Sequence, residues 1–267
     1  MAGTWRRWVL VGVLGLVGCR TTGMAGGGTE PRPPKQELHF EPVTVTGDLE
    51  LSALNDEELF AGGTSAFAAE DFKQAARHFG RLADFYQDSP HRRAALYNAG
   101  LAHERLEQWE EANLRFSELA DAEKGTGDAL EAAFRVAETQ YHLERYADAA
   151  RVLARIAARE DLPVGRRIEA RVQQGICELE TGDLEKSEAT LRQALATYEG
   201  LASKEEVEDY FPAQAHFFVG EIYRLHYQTV QLEPAKGSDA LARDLNYKAE
   251  LLLSAQGHYL RSIRVGN

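Results

Sequence analysis

After residue 55 the apolar and polar positions follow one plan several times over. Apolar residues recur at three- and four-residue spacing in stretches of a dozen or more positions, which predicts amphipathic helices, and short polar turns separate them. Small residues stand at Gly63, Gly100 and Ala137, aromatics at Phe72, Trp109 and Tyr146, and alanines at Ala75, Ala112 and Ala149, each series stepping by 37 residues. Large apolar residues follow at Phe79, Phe116 and Leu153, then at Leu82, Leu119 and Ile156. A fourth copy, carried by Gly175, Leu184, Ser187, Leu191 and Ala194, is shifted by one further residue, and the extra residue fits the loop at 161–165. Each unit therefore reads as a helical hairpin. The small residue lets the second helix approach, the alanine twelve positions later offers the matching small surface, and the larger residues fill the gap to the next hairpin. No such hairpin buries both faces alone, so neighbours must stack.

Start signals agree. Asn55 with Glu58 reads as a capping box, Ser89-Pro90 as an N-cap followed by proline at the first helical position, and Pro212 as a similar opening for a fifth pair. In that fifth copy Gly220 takes the small position, but its partner alanine, Ala249, comes 29 residues later, because an insertion at about 228–247 intervenes. Longer helices or a functional loop would both accommodate it; the helical composition of 240–253 favours the former. No polar capping helix follows, so the apolar end around Leu251, Leu252 and Leu253 is expected to be covered by a partner.

The small–aromatic–Ala–aromatic pattern resembles the tetratricopeptide repeat (TPR), strongly over residues 56–200 and in degenerate form over 201–267. The resemblance implies an all-α fold, a right-handed superhelical solenoid of about five hairpins. The period of 37–38 allows about one more helical turn than the family's usual 34, as in TPR proteins of bacterial envelopes, and the family's first-helix tryptophan is replaced by Leu59, Leu96 and Ala133.

The N-terminus follows a different pattern. Arg6 and Arg7 precede an uncharged run from Trp8 to Val17, too short for the ~20 residues a membrane span needs, and the pattern is that of a cleaved secretory signal over 1–18. Leu16-Val17-Gly18-Cys19 resembles the lipobox of bacterial lipoproteins, which implies a diacylglycerol on Cys19, with palmitate-type chains anchoring the protein; several acyl chains together give a stable anchor where one does not. By the same resemblance, Arg20 in place of aspartate favours the outer membrane, facing the periplasm. Residues 19–55 read as a Gly-, Pro- and Thr-rich tether and arm spanning roughly 30 Å if wholly flexible. Within it, Val43, Val45, Gly47-Asp48, Leu49 and Leu51 suit either a small hairpin or an extended arm along the first helix.

Charge and chemistry narrow the function. The chain carries a net charge of −12, which rises in magnitude once Arg6 and Arg7 are cleaved, and such a surface repels nucleic acid and anionic lipid. With Cys19 lipidated, Cys177 is left as a single thiol and no intrachain disulfide can form. Phosphate loops, HExxH, paired CxxC and nucleophile–base arrangements do not occur in the sequence, so no catalytic residue, cofactor or metal site is assigned. His216 and His226 share a helix but lie nearly three turns apart. Binding is better supported. The TPR resemblance places one groove-lining position of each first helix at Phe60, Tyr97, Phe134, Val172 and Phe217, with Phe67, Leu101, Glu104, Arg105, Glu138, Tyr141, His142, Arg224 and Leu225 nearby. An aromatic ladder among mixed charges suits a peptide partner; packing between hairpins is the plainer alternative. The expected function is a non-enzymatic protein–protein adaptor in an envelope machine such as the gliding-motility apparatus, the type IV pilus secretin or the β-barrel assembly complex. A transient pilotin-like chaperone, and an envelope enzyme or accessory subunit with its site in 228–247, are the alternatives.

Overall fold

A computed structural model describes residues 49–122, 126–205, 207–233, 235 and 237–265; the signal segment, Cys19 and the tether up to residue 48 lie outside the described residues. Eleven α-helices occur among the described residues: α1 (Leu49–Ser52), α2 (Asp56–Ala68), α3 (Phe72–Phe85), α4 (Arg92–Arg105), α5 (Trp109–Ala122), α6 (Gly127–His142), α7 (Tyr146–Ala157), α8 (Val164–Glu180), α9 (Leu184–Glu199), α10 (Tyr210–Thr229) and α11 (Ser238–Val265). From α2 onward they form five hairpins, and each second helix packs on the first helix of the next, α3 on α4, α5 on α6, α7 on α8 and α9 on α10.

The small positions act differently from expectation. A Cβ on Gly63 would lie 2.7 Å from the Phe79 ring, one on Gly100 2.6 Å from Phe116, and one on Gly175 2.7 Å from Leu191. The glycine is thus filled by the large residue sixteen positions on, inside its own hairpin, rather than by the alanine at twelve. The third hairpin reaches the same fit by opposite means: Ala137 adds the methyl, and Leu153 is the smaller partner in the same core.

Turns within hairpins are equally regular. Glu70, Glu107, Glu144 and Gly182 all have positive φ. The following amide reaches back to the helix, Asp71 to Ala66 at 2.9 Å, Gln108 to His103 at 2.9 Å, Arg145 to Gln140 at 2.8 Å and Asp183 to Glu178 at 3.3 Å, which is the left-handed C-cap that closes a helix end. Asp71 and Asp183 then cap the next helices through the amides of Gln74 and Lys186, both at 3.1 Å.

The Asn55–Glu58 capping box is present, with both reciprocal bonds at 2.9 Å. Other start signals shift. Helix α4 begins at Arg92, after Ser89-Pro90; the Ser89 hydroxyl accepts from the His91 amide at 3.1 Å and donates to Asp56 at 2.6 Å, tying the loop to α2. Pro212 stands at the third position of α10, where its missing N–H still costs no intrahelical bond. Leu49 and Leu51 belong to the helical turn α1, so they are not strand residues, and Arg81 and Tyr86 hold its end by donating to the carbonyls of Leu51 and Leu54 at 3.2 and 2.7 Å.

The fifth hairpin corrects the alignment. Gly220 faces Tyr259, whose ring would stand 2.7 Å from an added Cβ, and the buried alanine four residues before it is Ala255, whereas Ala249 is exposed. The insertion is divided between the end of α10, a connection over 230–237 and the first turns of α11. Lys248, just past the insertion, closes that connection by donating to the carbonyls of Tyr227 and Val230 at 2.9 and 3.0 Å, and so serves as a C-cap of α10.

Candidate interaction face

The first helices of the hairpins, α2, α4, α6, α8 and α10, present a shared face. Two ion clusters cross it at different levels: Arg135 follows the lining residue Phe134 by one position, whereas Arg166 precedes the lining residue Val172 by six. Arg135 of α6 reaches Glu104 of α4 at 3.5 Å and Glu138 one turn along at 3.0 Å; Arg166 of α8 reaches Glu131 of α6 at 2.8 Å and Glu169 at 2.7 Å. In each, an arginine from one hairpin is held between a carboxylate on its own helix and one on the preceding hairpin. Burial pushes the carboxyls of Glu104 and Glu169 up to about 7, against the opposing pull of Arg135 and Arg166. The Oε1 of Glu104 is buried without a hydrogen-bond partner.

The aromatic series lies mostly beneath this layer. Phe60 is half-buried between the Phe79 ring, edge-on at 5.8 Å, and His91, stacked at 4.7 Å. Tyr97 meets Phe116 edge-on at 5.6 Å, and burial raises its phenol. Phe134 is buried under the Arg166 guanidinium, 4.2 Å above its ring, a cation–π contact that closes off its outer face. Val172 is fully buried in the core between the fourth and fifth hairpins. Phe217, 45% exposed, is the large hydrophobic member of the series that solvent reaches most. Phe134 and Val172 are therefore core residues, because adjacent first helices approach closely enough to cover them.

The neighbouring positions are bound by contacts within and between hairpins. The Arg105 guanidinium sits 5.8 and 5.6 Å from the rings of Phe67 and Phe72, which meet edge-on. Leu101 packs against the cluster of Ala112, Phe116 and Val136. Tyr141 donates to Glu180 at 3.2 Å and meets Tyr146 edge-on; burial, with Glu180 beside it, raises its phenol. Arg224 pairs with Glu221 at 2.7 Å, and Tyr259 donates to the other oxygen of that carboxylate at 2.5 Å.

Two features lie outside what the sequence indicated. His216 and His258, both buried, bring their Nδ1 atoms within 3.1 Å of each other across α10 and α11, so His216 pairs with a histidine 42 residues away and not with His226. Glu178 is buried at the α8–α9 contact, yet fully partnered: it accepts from Gln174 at 2.8 Å and Thr190 at 2.6 Å and lies 3.2 Å from Lys186. Cys177 is a buried thiol, pushed up to about 12 by burial, and so chemically quiet. Among the described residues no three metal-ligating side chains come together, and no helix is long and apolar enough to cross a membrane.

Comparison with known proteins places the architecture. No protein-family model matches the chain, and no curated protein matches it. Solved structures do. The nearly identical TPR-like repeats of a Podosopora anserina protein named for kinesin light chain share 13% identity at a TM-score of 0.51, over 78% of this chain and 98% of that one. BtubC (BKLC) from P. vanneervenii shares 13% identity at a TM-score of 0.52, over 78% of both chains. The fold is TPR-like. The five stacked hairpins thus form a TPR-like solenoid, and at such low identity the likeness extends to the fold and no further.

Proposed function

We propose that this protein is a non-enzymatic interaction scaffold of the cell envelope, anchored by lipid on Cys19 and using the first-helix face of its solenoid to hold a protein partner of an envelope machine. The observation that carries the reading is the continuity of that face: an arginine held between two carboxylates occurs on the third and on the fourth hairpin, and on the fifth Phe217 leaves an aromatic surface open. Charged groups held by ion pairs over stacked hairpins suit recognition of an extended or helical peptide, with Phe217 as the apolar anchor. The anchor follows from the resemblance of the segment ending at Cys19 to a lipobox, and outer-membrane sorting from Arg20. The TPR-like fold supports an adaptor over an enzyme.

The test uses the tagged full chain in its own cells. Cross-linking and recovery should yield a protein partner that is lost from a Phe217→Ala/Arg224→Glu variant of unchanged thermal stability. Palmitate labelling should mark the native chain and not Cys19→Ser, which should leave the membrane fraction. A partner retained by the stable double variant removes the face from the proposal, and an unlabelled native chain removes the anchor.

A further inference from the structure

Helix α8 carries a polar stripe on a side that is largely apolar in the other first helices. Arg167, Arg171, Gln174 and Glu178 follow one another at intervals of four, three and four residues, which aligns them along one side of the helix. That side lies between the one packed in the core with α9 and α10, through Ile168, Val172 and Ile176, and the one packed with α7, through Ala170 and Cys177. It faces α9, to which Glu178 is tied through Thr190 and Lys186. Arg171 stands one residue before the lining position, where the other first helices have Leu59, Leu96, Ala133 and His216; Leu59 and Leu96 are fully buried there.

The two ends of the stripe differ. At one end Glu178 is satisfied by Gln174, Thr190 and Lys186. At the other, Arg167 and Arg171 are part-buried, neither guanidinium has an ion pair or hydrogen bond among the described residues, and the Nε of Arg167 is buried without a partner. Arg92, at the place of Arg167 in the second hairpin, pairs with Glu118. No carboxylate pulls on Arg171: burial and the charge of Arg167 one turn away both lower it. Of the carboxylates on α9, Glu188 accepts from Arg192 and Tyr223, and Glu199 acts on His216. Two like charges one turn apart disfavour the helix, and taking them partly out of water adds to that cost. They stand thus in a chain whose net charge is −12.

We infer that Arg167 and Arg171 form a binding site for a phosphate dianion, free or carried as a small phosphate monoester, in the seam between α8 and α9. Each guanidinium presents a planar fork of donors that matches phosphate oxygens. A dianion neutralises both charges, whereas a single carboxylate leaves one uncompensated. On α9, Gln193 and Thr197 continue the line of Lys186 and Thr190 at the same helical spacing, so the wall opposite the arginines is polar and brings no acid to compete. The site lies on the α9 side of α8, away from the first-helix face that carries Glu169 and the Arg166 cluster, and it stands independently of the proposed partner site.

The test titrates the full chain in mild detergent with inorganic phosphate at pH 8, with ionic strength held constant by chloride. Thermal stability should rise along a saturation curve, and calorimetry should give the heat of a single site. Phosphate also stabilises folded proteins by exclusion from their surface, but that effect does not saturate and is shared by every variant. Arg171→Leu installs the residue of the first two hairpins, so it should fold, should exceed the wild type in stability without phosphate because the like-charge contact is gone, and should lose the saturable response. Arg167→Gln should lose that response as well. Glycerol phosphate separates the two sources: tighter binding than phosphate assigns the site to monoesters, weaker binding to the free ion. Acetate that matches phosphate overturns the dianion. A wild-type response to phosphate that does not saturate, or one that both variants keep, overturns the site.

Discussion

The Trp109 indole lies flat on the His142 imidazole, with ring centroids 3.9 Å apart and planes within 6°. One ring opens the second helix of the second hairpin and the other ends the first helix of the third, so the stack is a joint between repeats. The same separation of 33 residues brings Arg105 over Phe72, 5.6 Å from its ring. A solenoid gains stability from such nearest-neighbour contacts as well as from each hairpin's own core. His142→Ala should therefore lower the free energy of unfolding by about 0.5–1.5 kcal/mol, the range for an aromatic pair, and His142→Phe should restore most of it. Urea denaturation reads both; an alanine variant as stable as wild type would mean the stack contributes nothing.

The fit of Phe116 into the place of a Gly100 side chain makes a reciprocal prediction. A Cβ on Gly100 meets the ring at 2.6 Å, so Gly100→Ala should cost about 1–3 kcal/mol as an overpacked site. Phe116→Leu alone leaves a cavity and should also destabilise. Combined, they reproduce the Ala137–Leu153 pair of the third hairpin, and the double variant should be more stable than the sum of the two single losses allows. A double-mutant cycle with strictly additive losses would refute the fit.

Glu104 is charged at the expense of the fold. Burial raises its carboxyl to about 7 despite Arg135, and its Oε1 is unpartnered. A carboxyl with a raised folded-state value favours the native state below its unfolded value near 4.5 and loses that contribution as pH rises through 7. Glu104→Gln, which stays neutral while Glu138 remains to pair with Arg135, should thus be more stable than wild type at pH 8, by about 1–3 kcal/mol from the penalty of a buried unsatisfied group. The gain should shrink toward pH 4.5. Equal stabilities at pH 8 would show that the carboxylate is adequately solvated.

The sequence made the repeat legible because its spacing is enforced by contact: Gly63, Gly100 and Gly175 exist to admit a residue sixteen positions on, and any register that keeps this fit keeps the period. What the glycines admit is not legible from spacing, since the alanine at twelve and the large apolar residue at sixteen recur with the same period and spacing alone does not say which one touches. Phe134 and Val172 stand at the same lining position as Phe217, yet neighbouring hairpins bury the first two and leave the third open; position within a repeat does not record how closely the next repeat approaches. In the fifth hairpin the insertion removes the period altogether. Ala255 and Tyr259 then cannot be aligned by counting, and the meeting of His216 with His258 carries no sequence signal, because it depends on how far α11 runs before it docks.

That meeting sets a pH limit on the C-terminal hairpin. With Nδ1 facing Nδ1 at 3.1 Å, one ring donates and the other accepts, and adding protons to both places two donors against each other. Burial, then His216 itself, then Arg192 and Arg261 push His258 down to about 4 against the weaker pull of Glu188; burial and Arg261 also lower His216, with Glu199 opposing. Tyr223 stacks on His258 at 5.9 Å and completes the surroundings. Lowered folded-state values mean that the pair contributes its stability above the ordinary histidine value of 6.5 and loses it as pH falls toward 4, where the unfolded chain takes up protons that the native state refuses. Between pH 7.5 and 4.5 the wild type should lose stability, and amide exchange in α11 should accelerate before exchange in α2–α9 does. His258→Phe cannot take up the proton and should flatten this acid limb. If α11 of the variant loosens over the same pH range as in the wild type, the histidine pair is not what acid acts upon.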